Sequence, residues 1–251
     1  IDDLICKYQP QEIYNFAAQS SVAKSFSFPQ ETIESIVQGT INLLESTKNL
    51  DFKGRIFFAG SSEIFGETKT AAKINNLQNP QNPYAIAKQT SFNLVKFYRD
   101  IYNINCITGV LYNHESPYRS KNFVTQKIIS GAIKCSRDKS HEIKLGNIDI
   151  ARDWGWAAEY MDAIQLITNT NKAKDQIICT GKLTTLKKFI EITFSKLDLN
   201  WKDYIKSNKK LLRKSDILIS YGDPSQLKKD LKWEPLIKIE EIIERLIESH
   251  I

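Results

Sequence analysis

The sequence predicts an α/β fold in which a mostly parallel sheet is covered by helices on both faces. Two observations support this prediction. Short apolar strands alternate with longer helical patterns in the first part of the chain, and a polar turn follows each of three predicted strands. Strands that alternate with helices favour parallel pairing. In such sheets ligands bind beyond the carboxyl ends of the strands, so the polar turns are candidate site segments.

The N-terminal elements follow in regular order. After an initial helical pattern (Ile1, Leu4, Ile5 and Tyr8), we expect a strand over 12–18, a helix over 31–48, a strand over Arg55–Ala59, a helix over 84–102 and a strand over 105–111. The polar turns lie at 17–20, 61–63 and 113–117. Because each turn follows a strand of the predicted sheet, we expect the three turns to meet at one sheet edge.

Beyond Pro117 the pattern changes and predicts a smaller second unit. We expect a helix over 122–136, a short strand over 142–145, a polar loop over 147–154, a helix over Ala157–Thr168, a strand over 176–180, a helix over 186–196, a strand over 216–221 and a terminal helix over 239–249. Asp223 and Pro224 are signals for a further helix start.

Composition limits the class of protein. Of the 251 residues 41% are hydrophobic and 25% charged, as is usual for a globular protein, and the formal net charge is +6. The lysines are dispersed in short clusters, which suit a solvated surface or a pocket for a phosphorylated small molecule better than a nucleic-acid interface. We expect no nucleic-acid partner. The sequence shows no signal peptide and no apolar run of membrane length, so we expect no membrane partner.

Cysteine and histidine spacing predicts neither disulfides nor a metal site. The cysteines are widely separated, without a C-x-x-C pair, and the three histidines are scattered: Cys6, Cys106, Cys135, Cys179, His114, His141 and His250. Such spacing is typical of reduced thiols in a cytoplasmic protein.

One segment combines the residue types of a proton-transfer site. R-I-F-F-A-G-S-S-E predicts a buried strand that ends in a turn with Ser61 and Glu63, and N-P-Y-A-I-A-K predicts a helix with Tyr84 and Lys88 on one face. A tyrosine has a pKa of roughly 10, which a lysine one turn away should lower. The resulting phenolate can take a proton from a sugar hydroxyl, oriented by Ser61, while hydride leaves for a nicotinamide. Glu63 adds a second acid/base group, which favours elimination of water over simple oxidation.

Simpler explanations of these residues also exist. Among ten tyrosines and 35 lysines and arginines, one Tyr-x-x-x-Lys pair can arise by chance on a solvated helix face. Glu63 alone can be a turn carboxylate. The order of strand, S-S-E turn, loop, proline and Y-x-x-x-K favours the catalytic interpretation.

Seven longer motifs carry a family resemblance. They are Y-N-F-A-A-Q-S-S-V, S-S-E-I-F-G, P-Y-A-I-A-K, L-Y-N-H-E-S-P-Y-R, N-F-V-T-Q-K-I, L-G-N-I-D-I-A-R-D-W-G and G-D-P-S-Q-L-K-K-D-L-K-W-E-P. In this order they resemble the extended short-chain dehydrogenase/reductases, and most closely the GDP-mannose 4,6-dehydratase family. The resemblance implies a Rossmann-like doubly wound sheet. It also implies a dinucleotide-binding domain over 1–112 and 156–181, and a smaller nucleotide-sugar-binding domain over 113–155 and 182–251.

The resemblance implies roles for residues at matching positions. The implied catalytic set is Ser61, Glu63, Tyr84 and Lys88. The implied NADP-binding set is Ala17, Ala18, Gln19, Ser20, Tyr84, Lys88, His114 and Arg119. The implied GDP-sugar-binding set is Asn113, Lys127, Asn147, Arg152, Arg213 and Asp216. Alternatively, Lys127 and Arg213 are surface charges, Asn147 shapes a turn, and His114 is a hydrogen-bonded structural residue.

The implied activity is that of a hydro-lyase, which converts GDP-mannose to GDP-4-keto-6-deoxymannose by internal hydride transfer through bound NADP. The alternatives are another nucleotide-sugar dehydratase, epimerase or reductase of the superfamily, or a non-catalytic nucleotide-sugar-binding paralogue. Such reductases and epimerases usually lack a carboxylate at the position of Glu63, so Glu63 favours dehydration. The predicted helices over 31–48 and 84–102 resemble those that pair between subunits in the superfamily, which implies a homodimer or homotetramer.

The beginning of the chain departs from the family pattern. It starts with Ile1 rather than Met, and it contains no strand followed by the Gly-x-x-Gly-x-x-Gly turn that holds a pyrophosphate at a helix N-terminus. We therefore expect that the first strands are missing and that the 251-residue chain alone is inactive.

Overall fold

The structure is a computed structural model, and it describes residues 1–170, 173–212 and 215–250. Its strands are β1 (Glu12–Asn15), β2 (Arg55–Ala59), β3 (Cys106–Leu111), β4 (Asn113–Glu115), β5 (Ile143–Leu145), β6 (Ala151–Trp156), β7 (Gln176–Ile178), β8 (Leu183–Thr185), β9 (Ile205–Ser207) and β10 (Ile219–Ser220). Its helices are α1 (Asp2–Tyr8), α2 (Val22–Ser27), α3 (Pro29–Ile33), α4 (Gly39–Asn49), α5 (Pro83–Tyr102), α6 (Val124–Arg137), α7 (Ala157–Thr168), α8 (Leu186–Ser195), α9 (Ser225–Leu231) and α10 (Ile239–Glu248). Within these ranges, no helix has the length and apolar character needed to cross a membrane.

The central sheet confirms the predicted parallel α/β architecture. Its strands lie in the order β1-β2-β3-β7, and each neighbouring pair is parallel. Every residue of β3 is buried, as expected for a strand with helices on both faces of its sheet. Because the strands run in the same direction, the turns after β1, β2 and β3 lie at one edge of the sheet.

Helices cover both faces of this sheet. On one face, Ile164 of α7 belongs to the same hydrophobic cluster as Phe57. On the other face, Val95 of α5 belongs to a cluster with Ile56 and Cys106. Neighbouring residues of a strand point to opposite faces, so Ile56 and Phe57 of β2 fill the two cores.

Several predicted elements have the predicted bounds, and others are shifted. The strand Arg55–Ala59 and the helix Ala157–Thr168 are found as expected. The helix predicted over 31–48 is found as α3, a π-helical turn over Glu34–Gln38, and α4. The first strand is shorter than predicted, because the Asn15 side chain accepts a hydrogen bond from the backbone N–H of Ala17 (3.1 Å) and turns the chain. The short elements α2, β4, β8 and β9 were not expected.

The polar loop predicted over 147–154 is wrong, since its second half belongs to β6. This strand pairs with β4 and β10 in parallel and with β8 in the antiparallel direction. The charges of Arg152 and Asp153 suggested a loop, but both side chains are buried and have partners. Those partners are distant in sequence, so the local pattern gave no sign of them.

A second hydrophobic core lies in the C-terminal part of the chain. Ile129 of α6, Phe189 and Phe194 of α8, and Ile243 of α10 are all fully buried in one cluster. Trp154 of β6 belongs to the same cluster, 5.6 Å from the Phe189 ring between centroids. The strand that carries Arg152 is therefore anchored to this second core.

The carboxylate of Asp153 connects β6 to the segment after β7. One oxygen accepts hydrogen bonds from the backbone N–H of Thr180 (2.9 Å) and from its hydroxyl (2.6 Å). The other oxygen accepts from the N–H of Gly181 (2.8 Å). Burial raises the pKa of Asp153 to about 6, although the hydrogen bonds from Thr180 and Gly181 oppose this shift. The contacts make Asp153 a structural residue between the two cores.

We expect Asp153→Asn to lower the free energy of unfolding by about 1–3 kcal/mol. In either orientation of the new amide, its NH₂ group faces a backbone N–H of Thr180 or Gly181, so one buried donor loses its acceptor. Urea unfolding measures the change, and the same substitution at exposed Asp149 is the control, with an effect of less than about 0.5 kcal/mol. An Asp153→Asn variant as stable as the unchanged protein contradicts this role.

Candidate active site

The turn after β2 presents Ser61 and Glu63 at the carboxyl edge of the sheet. Ser61 is the N-cap of a short 3₁₀ helix, and its hydroxyl oxygen accepts a hydrogen bond from the backbone N–H of Glu63 (3.3 Å). Gly60 precedes it because the chain passes close to β3 here: a Cβ atom at Gly60 would lie 2.7 Å from Cγ2 of Thr108. The turn is therefore fixed both by its own cap and by the adjacent strand.

Asn82 joins this turn to the start of α5. Its amide nitrogen donates a hydrogen bond to Oε2 of Glu63 (2.8 Å), and its amide oxygen accepts one from the backbone N–H of Ala85 (2.8 Å). Asn82 was not among the predicted site residues. The sequence does contain a signal for this role. Asparagine is a preferred N-cap residue, and proline is common at the first position of the helix that follows.

Tyr84 lies in the first turn of α5 and is buried. Burial raises its pKa to about 12; the Glu63 charge adds to the increase, while the Ser61 hydroxyl and the Arg119 charge oppose it. The structure thus brings Ser61, Glu63 and Tyr84 within interaction range of one another, as the sequence predicts. The expected lowering of the Tyr84 pKa is wrong for this structure, because burial outweighs the groups that favour the phenolate.

Lys88 lies one helical turn beyond Tyr84. Its ammonium donates a hydrogen bond to the backbone oxygen of Ala59 at the end of β2 (2.8 Å), and it lies 5.8 Å from the centroid of the Tyr84 ring. Burial lowers the pKa of Lys88 to about 8. The contact with Ala59 holds α5 against the end of the strand that carries the S-S-E turn.

A cleft opens at this edge of the sheet, beside β1 and β2. It is lined by Asn15, Ala17, Ala18, Ile36, Thr40, Phe58, Ala59, Gly60, Lys88, Ser91, Phe92 and Thr108. Three residues of the predicted cofactor set are therefore at the cleft: Ala17, Ala18 and Lys88. Gln19 instead anchors the loop, since its side chain donates to the Thr32 hydroxyl of α3 (2.9 Å) and accepts from the backbone N–H of Ser21. Ser20 is exposed.

His114 and Arg119 form a linked pair beyond β3. The Nδ1 atom of His114 lies 2.8 Å from the backbone oxygen of Tyr112, so this nitrogen carries the proton. Burial, helped by the Arg119 charge, lowers the pKa of His114 to about 4, and the imidazole is neutral at neutral pH. Arg119 donates to the backbone oxygen of His114 (2.7 Å).

The predicted substrate residues fall into two groups. Arg152 and Asp216 form a buried ion pair (3.8 Å), in which Arg152 also donates to the backbone oxygen of Ala151 (2.9 Å). The others lie in separate places: Asn113 begins β4, Lys127 of α6 donates to the backbone oxygen of Lys144 (2.7 Å), and Asn147 accepts from the N–H of Asp149 (2.9 Å) in a turn. Arg213 lies outside the described residues.

No cluster of three or more histidine, cysteine, aspartate or glutamate side chains in the described ranges has the arrangement of a metal site. The four cysteines are free thiols, of which Cys106, Cys135 and Cys179 are buried. Burial raises the pKa of Cys106 to about 12 and also raises that of Cys179, so these thiols stay protonated at neutral pH.

Comparisons with known proteins identify the family of this chain. A sequence model of the family "GDP-mannose 4,6 dehydratase" matches residues 1–246. GDP-mannose 4,6 dehydratase 1 of Arabidopsis thaliana is 35% identical over 96% of this chain, which spans 68% of that protein. The human GDP-mannose 4,6 dehydratase is 29% identical over 99% of this chain, which spans 72% of it. The chain spans 66% of the second Arabidopsis enzyme of this name.

Solved structures show the same fold. DesIV, a dTDP-glucose 4,6-dehydratase from Streptomyces venezuelae with NAD and TYD bound, matches with a TM-score of 0.88 over 99% of this chain and 76% of its own, at 20% identity. RMD from Pseudomonas aeruginosa, in complex with NADPH, matches with a TM-score of 0.85 over 96% of this chain and 82% of its own, at 21% identity. With the family model matched along almost the whole chain, the protein belongs to the GDP-mannose 4,6-dehydratase family.

Proposed function

We propose that this protein removes water from GDP-mannose to give GDP-4-keto-6-deoxymannose, as a hydro-lyase that uses bound NADP. The observation that carries the proposal is the Glu63 carboxylate, which Asn82 holds by a hydrogen bond and whose charge acts on the buried Tyr84 phenol. A dehydration needs two proton-transfer groups, one at oxygen and one at carbon, and this pair supplies both.

We place the nicotinamide cofactor at this edge of the sheet, beside the cleft. Ala17 and Ala18 present small side chains there, so a planar ring can approach the backbone closely. The Lys88 ammonium has three N–H donors, one of which the Ala59 oxygen accepts, and ribose hydroxyls are suitable acceptors for another. When bound, the cofactor accepts a hydride from C4 of the sugar and later returns it to C6. We propose NADP rather than NAD on the family resemblance, with His114 and Arg119 as further contacts.

Tyr84 acts first in the proposed sequence. Its phenolate takes the proton of the C4 hydroxyl, which the Ser61 hydroxyl orients, as the hydride leaves C4. A buried phenol with a pKa of about 12 requires nearby positive charge for this step. Arg119 already opposes the raised pKa, and Lys88 lies one helical turn away.

Glu63 acts second. The new C4 ketone makes the C5 proton acidic; the Glu63 carboxylate removes that proton and passes it to the C6 hydroxyl, which leaves as water. The hydrogen bond from Asn82 leaves the second carboxylate oxygen, Oε1, for this transfer. As the bound cofactor would return its hydride to C6, the Tyr84 hydroxyl would give C5 the proton that it took from the C4 hydroxyl, so the net change is the loss of one water.

For the nucleotide-sugar we propose Asn113, Lys127, Asn147, Arg152, Arg213 and Asp216 as ligands, with the Arg152 guanidinium toward the diphosphate. We also propose that residues 113–155 and 182–251 form the nucleotide-sugar-binding domain, and residues 1–112 and 156–181 the dinucleotide-binding domain. The separate C-terminal hydrophobic core supports this division.

We propose a homodimer or homotetramer in the cytoplasm. The support for assembly is α5, where Ile86, Phe97 and Ile101 are 49%, 48% and 59% exposed, because apolar side chains in a row on one helix favour a partner. The support for a reducing compartment is the free state of the four cysteines.

We expect Glu63→Gln to lower formation of the 4-keto product by about 10²–10⁴-fold, because the amide cannot take the C5 proton. The amide oxygen still accepts from Asn82, so the dissociation constant for NADP should change little. Mass spectrometry of GDP-mannose incubations measures the loss of one water. Glu244→Gln, at an exposed position of α10, is the matched control. Undiminished dehydration by Glu63→Gln refutes the role of Glu63.

We expect Tyr84→Phe to lower turnover by about 10²–10⁴-fold, because it removes the acid/base hydroxyl but keeps the ring. Tyr98→Phe is the matched control: Tyr98 is also buried on α5, but its hydroxyl donates to Glu45 of α4, away from the cleft. Initial rates with GDP-mannose distinguish the two variants. Equal rates for both would place the proton transfer elsewhere.

The pH dependence of kcat/KM should follow the ionisation of Lys88. Its pKa of about 8 means that the ammonium is present below this pH and is lost above it, so kcat/KM should fall as pH rises through about 8. An arginine stays charged throughout this range, so any residual activity of Lys88→Arg should lack this alkaline limb. Rates measured from pH 6 to 10 provide the comparison. If Lys88→Arg keeps the same limb, another group titrates there.

A further inference from the structure

Glu115 is a buried carboxylate outside the proposed catalytic set. It ends β4 and is completely inaccessible to solvent (0% exposed). Its Oε2 atom accepts a hydrogen bond from the Thr125 hydroxyl of α6 (2.7 Å) and lies 3.4 Å from Nε of Arg119. Burial raises the pKa of Glu115, and the Arg119 charge and the Thr125 hydroxyl oppose this shift. A buried carboxylate is costly unless it is paired, so this position is explained by its guanidinium partner.

Arg119 is fixed by three different contacts. Besides the ion pair with Glu115, it donates to the backbone oxygen of His114 (2.7 Å), and its guanidinium lies 4.0 Å from the centroid of the Phe123 ring. Only 19% of its side chain is exposed. An arginine loses considerable rotamer freedom when it is held in this way, so the arrangement fixes a positive charge in one place.

That place is the active-site end of the molecule. His114 follows β3 by three residues, and the charge of Arg119 adds to the lowering of the His114 pKa and opposes the increase that burial causes in the pKa of Tyr84. Two polar atoms of this pair, Oε1 of Glu115 and Nε of Arg119, are buried and lack a hydrogen bond within the described chain. The ion pair therefore depends on charge attraction more than on hydrogen-bond geometry, and loss of the Glu115 charge should loosen it.

We infer that Glu115 is a positioning residue of the active site, which acts by holding the Arg119 guanidinium beside the cofactor and the catalytic tyrosine. The inference rests on the proposed function for its catalytic consequence. Glu115 itself touches neither the reacting atoms nor the cleft. Its effect is transmitted through Arg119, which gives the inference a distinct experimental signature.

The chain contains a matched control pair. Arg99 of α5 and Asp175 form a buried ion pair with two hydrogen bonds (2.8 and 2.7 Å), and Asp175 also accepts from the backbone N–H of Thr108 (2.7 Å). Asp175 immediately precedes β7, at the amino end of that strand, and it is not among the groups that contact Arg119. Asp175→Asn therefore removes a comparable buried charge without disturbing Arg119.

The first measurement needs no ligand. NMR relaxation of the Arg Nε–Hε groups in the protein gives an order parameter for each arginine, with Arg119 assigned by Arg119→Lys. We expect Arg119 to become more mobile in Glu115→Gln and Arg99 to be unaffected. In Asp175→Asn the reverse is expected. Glu115→Asp, which keeps the charge, should restore part of the order. An unchanged Arg119 order parameter in Glu115→Gln overturns the inference, whether or not the enzyme is active.

The second measurement tests the functional consequence. We expect Glu115→Gln to weaken NADP binding or lower kcat by about 10- to 100-fold, because small displacements of a positioned group have effects of this size. Arg119→Met should have at least the same effect, and the double variant should be no worse than Arg119→Met. Additive effects, or a loss of thermal stability with normal NADP binding and kcat, mean that Glu115 is only structural. If the unchanged protein does not dehydrate GDP-mannose, the proposed function fails, while the Arg119 dynamics still decide the positioning role.

Discussion

The hydrogen bonds of Asn82 determine the geometry of the site, because they connect its two halves. The S-S-E turn ends one strand and Tyr84 begins one helix, and the loop between them could hold these elements in many relative positions. Asn82 caps the helix with its oxygen and binds the Glu63 carboxylate with its nitrogen. A capping contact is worth about 1 kcal/mol. Here the same side chain also occupies one oxygen of the Glu63 carboxylate, so a residue with no chemical role restrains the group proposed as the second acid/base.

Burial shifts the pKa values of Tyr84 and Lys88, both on α5, in opposite directions. It raises the pKa of Tyr84 to about 12 and lowers that of Lys88 to about 8, which in both cases favours the neutral form. A tyrosine base therefore needs compensating positive charge within the same low-dielectric region. Burial makes Lys88 less basic, although its ammonium donates a hydrogen bond to a backbone oxygen. A guanidinium, in contrast, keeps its charge at any accessible pH. Arg119, positioned by Glu115, can therefore supply a lasting positive charge near Tyr84, which Lys88 alone does not.

The relative positions of the proposed catalytic residues could be predicted from the sequence because these residues are local. Ser61, Glu63, Tyr84 and Lys88 belong to one strand–turn–helix segment, where the strand end and the helical repeat fix their relative positions. The strand Arg55–Ala59 was found with its predicted bounds for the same reason. Sequence reasoning failed where a partner is remote. The loop prediction over 147–154 fails at the buried strand β6, since no residue near Arg152 and Asp153 in the sequence indicates that their partners are Asp216 and Thr180. The pKa of Tyr84 depends on its depth of burial, which the spacing of residues does not reveal.

The residues proposed for proton transfer are close together in the sequence, whereas those proposed for substrate recognition are dispersed. Proton transfer depends on a compact segment packed on the parallel sheet, whereas the residues proposed for the nucleotide-sugar are distributed over β4, α6, β6 and the segments around them. Of these, Arg152 is tied to the second core through Trp154 on the same strand, and to the central sheet through Asp153 and Thr180. A change in the packing of β6 should therefore displace Arg152, the arginine that we propose for the diphosphate, more directly than Glu63 and Tyr84, which do not belong to this strand. Substrate choice can consequently vary within such a family through the second core, without any change in the groups that transfer protons.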